Sequence, residues 1–288
     1  MKAENTERLL KKYQIKPILP KDQFFLIDIK VIKKLVDVAR ITKKDRVLEI
    51  GAGLGFLTRE LASRAKEVIA IEIDKRFEPV LKGLPNNVKV IYDDAYRLLN
   101  NKNLRAGIKP PTKVVANIPY SRAQNMLHNY TNSSWYQDDL VWLAPTSLAD
   151  KVNNEAILGA YFTAKAIETV PKSAFYPQPN TASAIIYFKR IDDPQKTKNF
   201  AIYLRRWLYN HEDWKVKNAL REGIIGAAND LRGVKITKNE ARKLILNLKI
   251  PNEELNKLTN NIQPKYYFEI PKKLEGWFDS LKKEITSL

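Results

Sequence analysis

One stretch constrains the fold more than any other: residues 46–74, RVLEIGAGLGFLTRELASRAKEVIAIEID. Val47, Leu48 and Ile50 form a short apolar run that stops at Gly51, and glycines then occupy positions 51, 53 and 55. The spacing predicts an amphipathic helix over 56–65 and a second apolar strand over 68–73. That strand carries Glu72 near its end, 21 residues beyond Gly51. This reads as a βαβ unit whose first turn lets backbone approach a ligand closely, with an acidic side chain placed to hold a ribose. A tight strand-to-helix connection would account for the glycines alone, but not for Glu72 at that distance.

A dinucleotide fingerprint needs a third glycine at position 56, which is Phe here. The pattern Glu49-x-Gly51-x-Gly53-x-Gly55 instead resembles the first motif of class I S-adenosylmethionine-dependent methyltransferases. The resemblance implies an α/β fold, a Rossmann-like methyltransferase sheet domain.

Composition narrows the partners. Fifty Lys and Arg against thirty-two Asp and Glu give a formal charge of +18, which predicts attraction to a polyanion, most simply nucleic acid. With no cysteine, disulfides, thiolate metal sites and iron–sulfur clusters are excluded, and two histidines, His128 and His211, argue against a histidine-built metal site. No apolar run approaches the length of a membrane span, and residues 1–17 carry no apolar signal core. The expectation is an intracellular, cytoplasmic protein with neither metal nor membrane partner.

Further strands follow the opening unit. VKVIY at 88–92 ends in Asp93-Asp94, and KVVA at 113–116 ends in Asn117-Ile118-Pro119-Tyr120. Four successive strands thus end at Gly51, Glu72, Asp94 and Asn117. In an open parallel sheet, ligands bind outside the carboxyl ends of the strands, so the candidate chemistry converges on one rim. A helix is predicted over 28–40, with Val31, Ile32, Leu35, Val36 and Val38 buried. Before it, Phe24 and Phe25 read as core aromatics or as a lid over the site.

Asn-Ile-Pro-Tyr carries the most specific chemistry. The exocyclic amine of adenine is a poor nucleophile because its lone pair is delocalised into the ring. The Asn117 side-chain oxygen and the Ile118 carbonyl can accept both amine N–H groups and turn the lone pair toward a methyl sulfonium. Pro119 fixes the backbone, and Tyr120 offers a flat face for the base. Positioning supplies most of the effect, with no strong general base. An ordinary Asn-x-Pro turn is the alternative.

Several pieces in order, DQFFLID, EIGAGLGFLT, IEID, DDA, NIPY and AFYPQPNTASAIIYFKR at 174–190, resemble the ribosomal RNA adenine N6,N6-dimethyltransferase family. The resemblance implies that Gln23 and Leu26 border the methionine end of S-adenosylmethionine, and that Glu49, Gly51 and Gly53 lie along its path. It also implies that Glu72 holds the ribose and Asp94 the cofactor's adenine. Asn117, beside the cofactor, would grip the target amine together with Ile118. Tyr120 and Phe175 would sandwich the target adenine, flipped from its stack. The chain departs from the family pattern at Asp22 and Asp93, where glycine is usual, and over 121–125 and 144–147.

Three regions are expected: a basic, loosely held arm at 1–20, the methyltransferase domain at 21–190 and a small all-helical RNA-docking domain at 195–288. In the last, helices are predicted over 200–225, after the Thr237–Glu240 capping box, from Pro251, and from Pro271 with Leu274, Trp277, Phe278 and Leu281 inward. Arg205, Arg206, Lys215, Lys217 and Arg221 are the candidate RNA contacts, with solvated helix charges as the alternative. The leading functional reading is a monomeric enzyme that dimethylates adenine in small-subunit (16S-type) ribosomal RNA, acting on the small ribosomal subunit precursor. A catalytically weak RNA-binding assembly factor, or an adenine methyltransferase for another RNA, are the alternatives.

Overall fold

The computed structural model describes residues 3–101, 107–133, 135 and 139–285. The chain forms two compact units, one from residues 1–153 with 162–190 and one from 154–161 with 191–288.

The first unit opens with helix α1 (Ala3–Lys12), where a loose arm is expected. Its polar composition conceals a narrow apolar stripe: Thr6 and Leu10, one turn apart, are buried, as is Ile15 beyond it. Glu4 in the first turn and Lys11 and Lys12 in the last suit the helix dipole. Strand β1 (Phe25–Leu26) follows, then α2 (Ile29–Val38). The Asp28 carboxylate caps α2 by accepting the Lys30 N–H at 2.8 Å. Val31, Ile32, Leu35 and Val36 are buried as predicted, and Val38 is half-buried.

The alternating unit comes next: β2 (Arg46–Ile50), α3 (Phe56–Arg64), β3 (Glu67–Ile71), α4 (Glu78–Leu81), β4 (Val88–Ile91), α5 (Ala95–Asn100) and β5 (Lys113–Asn117). After α6 (Ala123–Asn132) come β6 (Asp139–Pro145) and α7 (Ser147–Asn154). The short α8 (Leu158–Tyr161), which belongs to the second unit, leads into β7 (Phe162–Val170), β8 (Phe175–Tyr176) and β9 (Ser183–Arg190).

Seven strands form one sheet in the order β4-β3-β2-β5-β6-β9-β7. The first five run parallel; β9 pairs antiparallel with both β6 and β7. Strands β2 to β5 match the predicted ones closely. From β2 the chain winds outward through β3 to β4, then returns to β5 on the other side of β2. That reversal opens a crevice between the carboxyl ends of β2 and β5, the place where such sheets bind ligands. Separately, β1 and β8 form a two-stranded antiparallel sheet pairing Phe25 with Tyr176 and Leu26 with Phe175.

The second unit is helical: α8 with α9 (Pro194–Thr197), α10 (Phe200–Asn210), α11 (Val216–Arg232), α12 (Lys238–Asn247), α13 (Asn252–Asn256) and α14 (Tyr266–Ile285). The single helix predicted over 200–225 is in fact two. The chain leaves helix at 211–215 because its backbone finds a distant partner: the Val216 N–H donates to the Lys257 carbonyl and Lys215 bridges Leu258. The helices then pack tightly. A Cβ on Gly223 would lie 2.6 Å from Trp207, so only glycine fits there. The capping box before α12 forms, with Thr237 Oγ1 accepting the Glu240 N–H and Glu240 accepting the Thr237 N–H. Pro271 lies inside α14 rather than ahead of it, because buried Tyr266, Tyr267 and Ile270 extend the apolar face one and a half turns upstream.

Candidate active site

A cavity of about 560 Å³ opens at the carboxyl ends of the central strands, within the size range of small-molecule sites. Its walls include Gln23, Gly51, Gly53, Glu72, Asp94, Asn117, Ile118 and Pro119, which the strand ends bring together as the sequence predicts.

The glycine turn builds the floor. Gly51, Gly53 and Gly55 all have positive φ. Gly53 has φ +51 and the Phe25 ring 3.4 Å from where a Cβ would sit; Gly55 is tighter still, with the Arg59 side chain at 2.9 Å. The Gly53 N–H donates to Glu72 Oε2 at 2.7 Å, and the Asp74 N–H donates to Oε1 at 2.8 Å. These bonds orient the Glu72 carboxylate from behind while it lines the cavity. Burial raises its pKa, and the two backbone donors oppose that rise. A carboxylate has about four acceptor positions, so Glu72 retains capacity for ribose hydroxyls. Asp94 caps α5 through the Tyr96 N–H at 2.8 Å, using one carboxylate oxygen, and lines the cavity.

Ile18 and residues 20–25 supply another part of the wall. Gln23 accepts the Ile18 N–H at 2.9 Å and donates to Asp74 at 3.0 Å. Hydrogen bonding from Arg76 holds Asp74 down at about 2, and Arg76 also reaches the Lys16 carbonyl. Both Phe24 and Phe25 line the cavity, and Phe25 is also core, packed edge-on against Phe77, so Phe25 answers to both readings.

Asn117 Nδ2 donates to the Phe24 carbonyl at 3.0 Å. A carbonyl only accepts, so this contact fixes which way the amide faces. It leaves Oδ1 as the acceptor available in the cavity. Tyr120 sits half-buried beside Phe24, ring centroids 5.8 Å apart, with its hydroxyl hydrogen-bonded to Ser183. Burial raises the Tyr120 pKa, and the nearby charge of Asp22 adds to the rise.

Other predicted residues lie elsewhere. Leu26 and Phe175 are 5% and 2% exposed and pair with each other in the β1–β8 ladder, so neither faces the cavity. Glu49 is 1% exposed, beneath the glycine turn, with Oε2 unpartnered; burial, opposed by the nearby Thr58 hydroxyl and with the Glu72 charge adding, pushes its carboxyl up to about 8. Arg205 is a structural residue of the helical unit. It is buried, stacks on Phe268 and donates to the Ala156 and Glu155 carbonyls. Arg206 likewise binds the Ala160 and Ile191 carbonyls. Arg221 is paired with Glu222, which leaves Lys215 and Lys217 as the exposed members of the predicted basic set. Residues the sequence reading missed at the cavity are Asp22, Asp74, Arg76, Tyr96, Ser121 and Arg122. Asp74 could have been found from its place two residues after Glu72. Among the described residues no cluster of His, Asp and Glu is arranged to hold a metal ion, and no helix is long and apolar enough to cross a membrane.

A family model described as ribosomal RNA adenine dimethylase matches residues 21–245. The chain belongs to the ribosomal RNA adenine dimethylase family. It is 34% identical over 205 residues to ribosomal RNA small subunit methyltransferase A of Listeria monocytogenes, covering 66% of this chain and 70% of the relative. To the protein of that name from Streptococcus thermophilus it is 32% identical over 238 residues, covering 72% and 82%. Among solved structures, a dimethyladenosine transferase from Plasmodium falciparum superposes with a TM-score of 0.55 at 20% identity, covering 88% of this chain and 98% of that one. The 23S rRNA methyltransferase ErmE gives 0.51, also at 20% identity, covering 87% and 99%. At those identities the likeness is one of fold. A member of the dimethylase family uses S-adenosylmethionine as methyl donor, and the cavity suits it: a carboxylate is held ready for a ribose and glycine backbone is open to close approach.

Proposed function

We propose that this chain transfers methyl groups from S-adenosylmethionine to N6 of adenine in small-subunit ribosomal RNA, twice on the same nitrogen, as a cytoplasmic monomer acting on the subunit precursor. The observation that carries the reading is the Asn117 amide, turned by the Phe24 carbonyl so that Oδ1 is left to accept from the target amine. Oδ1 and the Ile118 carbonyl together engage both N–H groups, drawing N6 toward tetrahedral geometry and exposing its lone pair. Pro119, at φ −53, holds that carbonyl in place. Tyr120 and Phe24 provide aromatic surface for the flipped base. Glu72 and Asp94 hold the cofactor's ribose and adenine, Gln23 and the glycine turn border its methionine end, and Asn117 stands where cofactor and target meet. The bound cofactor supplies an electrophilic methyl group on a cationic sulfur. Exclusion of water by the bound base would favour a step in which that charge leaves the sulfur. Once methylated, N6 is acidic enough to release its proton to water without a strong base. Lys215 and Lys217 supply phosphate contacts on the helical unit.

The test is methyl transfer from labelled S-adenosylmethionine to small subunits lacking adenine dimethylation, read by nucleoside mass spectrometry. Dimethyladenosine is the expected product. Asn117→Ala should reduce transfer by about 10²–10³-fold with cofactor affinity nearly unchanged. Undiminished turnover in that variant refutes the mechanism, and label only on another RNA moves the substrate.

A further inference from the structure

The turn that follows Asn117-Ile118-Pro119-Tyr120 is tied down by a side chain from far away in sequence. Asp22 Oδ2 accepts the backbone N–H of Ser121 at 2.8 Å, across 99 residues. Two residues beyond Asp22, the Phe24 carbonyl accepts from Asn117 Nδ2. The short segment 22–24 therefore grips the catalytic tetrapeptide at both ends, at Asn117 and directly behind Tyr120. Asp22 and Ser121 both line the cavity.

The backbone at Asp22 strengthens the point. It has φ +52 and ψ 36, a conformation in which glycine is comfortable and few L residues are. Aspartate is among the tolerated exceptions. The hydrogen bond to Ser121 is the one its carboxylate makes among the described residues, and a charged acceptor makes it stronger than a neutral pair. A carboxylate thus occupies a glycine-favouring position and bonds the turn that carries the tetrapeptide.

We infer that Asp22 is a positioning residue for methyl transfer. It latches the 119–122 turn, and with it the Ile118 carbonyl and the Tyr120 ring, in the register that receives the target base. This rests on the proposed reaction. Its effect belongs to the acceptor side of the cavity, since Glu72, Asp94 and the glycine turn are held by other contacts.

Two substitutions separate the latch from backbone strain. Asp22→Gly removes the carboxylate while suiting the backbone; Asp22→Asn keeps both an acceptor oxygen and tolerance of positive φ. With undermethylated small subunits, Asp22→Gly should lower kcat by about tenfold or more. Its S-adenosylmethionine Kd should stay within about threefold of the parent, with no fall in Tm, because the backbone there favours glycine. Asp22→Asn should stay within about threefold of the parent in kcat. Parental kcat in Asp22→Gly overturns the inference, as does a loss fully matched by weakened cofactor binding. Hydrogen exchange of the peptide covering 118–124 needs no turnover. The Ser121 amide should exchange about tenfold faster in Asp22→Gly and remain protected in Asp22→Asn. A parent that methylates no RNA refutes the proposed reaction, and exchange at Ser121 then decides the latch alone: unchanged exchange in Asp22→Gly overturns it.

Discussion

Glu49 offers a sharp test because its environment converts pH into stability. It is 1% exposed, Oε2 has no partner, and burial moves its pKa from an ordinary 4.5 to about 8. A carboxyl raised in the folded state is neutral in both states at low pH and contributes nothing there. As pH rises through 4.5 the unfolded chain ionises while the folded chain stays protonated, so stability falls until about pH 8 and then levels off. At ~1.4 kcal/mol per unit, the loss accumulated between pH 5 and pH 7 is roughly 2–3 kcal/mol. Glu49→Gln keeps the shape and cannot titrate. The assay is hydrogen exchange of the β2 amides in parent and variant at the same pH, where the intrinsic exchange rates cancel. The protection of Glu49→Gln relative to the parent should rise about 30- to 100-fold from pH 5 to pH 7, as the parent weakens. Parallel behaviour of the two proteins across that window would refute the argument and mean that the carboxyl has a partner or water.

Other positions give distinct readouts. Gly53→Ala places a Cβ 3.4 Å from the Phe25 ring at φ +51; it should destabilise the first unit by about 1–2 kcal/mol in denaturant titration and weaken cofactor binding in calorimetry. Arg205→Ala removes buried donors from the Ala156 and Glu155 carbonyls and should destabilise the helical unit by about 2–4 kcal/mol, measured by thermal unfolding. Replacing Lys215 and Lys217 together with Ala should leave that stability nearly unchanged while lowering the salt dependence of RNA binding by about one unit of slope per residue.

What was legible in the sequence was local. The apolar run to Gly51, the glycine turn and the 21-residue spacing to Glu72 fix β2, α3 and β3 by contacts close in sequence, and the residues at or just past each strand's end announce the rim. Burial at the ends of strands was not. Leu26 and Glu49 sit beside cavity-lining residues and Phe175 pairs with Leu26, yet alternate positions of a strand face opposite sides, and a sheet covered on both faces buries both. Arg205 and Arg206 looked like solvent-facing cations because the carbonyls they bind lie 46 to 50 positions away or on the residue after β9. Asp22 read as a departure at a glycine position. Its meaning depends on a hydrogen bond that spans 99 residues, which no local pattern encodes.

The segment 154–161 has a consequence for how such a protein could be divided or recombined. It is encoded inside the sheet unit but belongs to the helical one, where its carbonyls receive Arg205 and Arg206. Neither unit is therefore a cassette. A gene cut after codon 190 yields a sheet unit bearing an orphan helix and a helical piece in which Arg205 has lost both of its carbonyl acceptors and Arg206 has lost that of Ala160 but kept that of Ile191. An exchange of helical units between relatives must carry the two pieces of chain together or rebuild those acceptors.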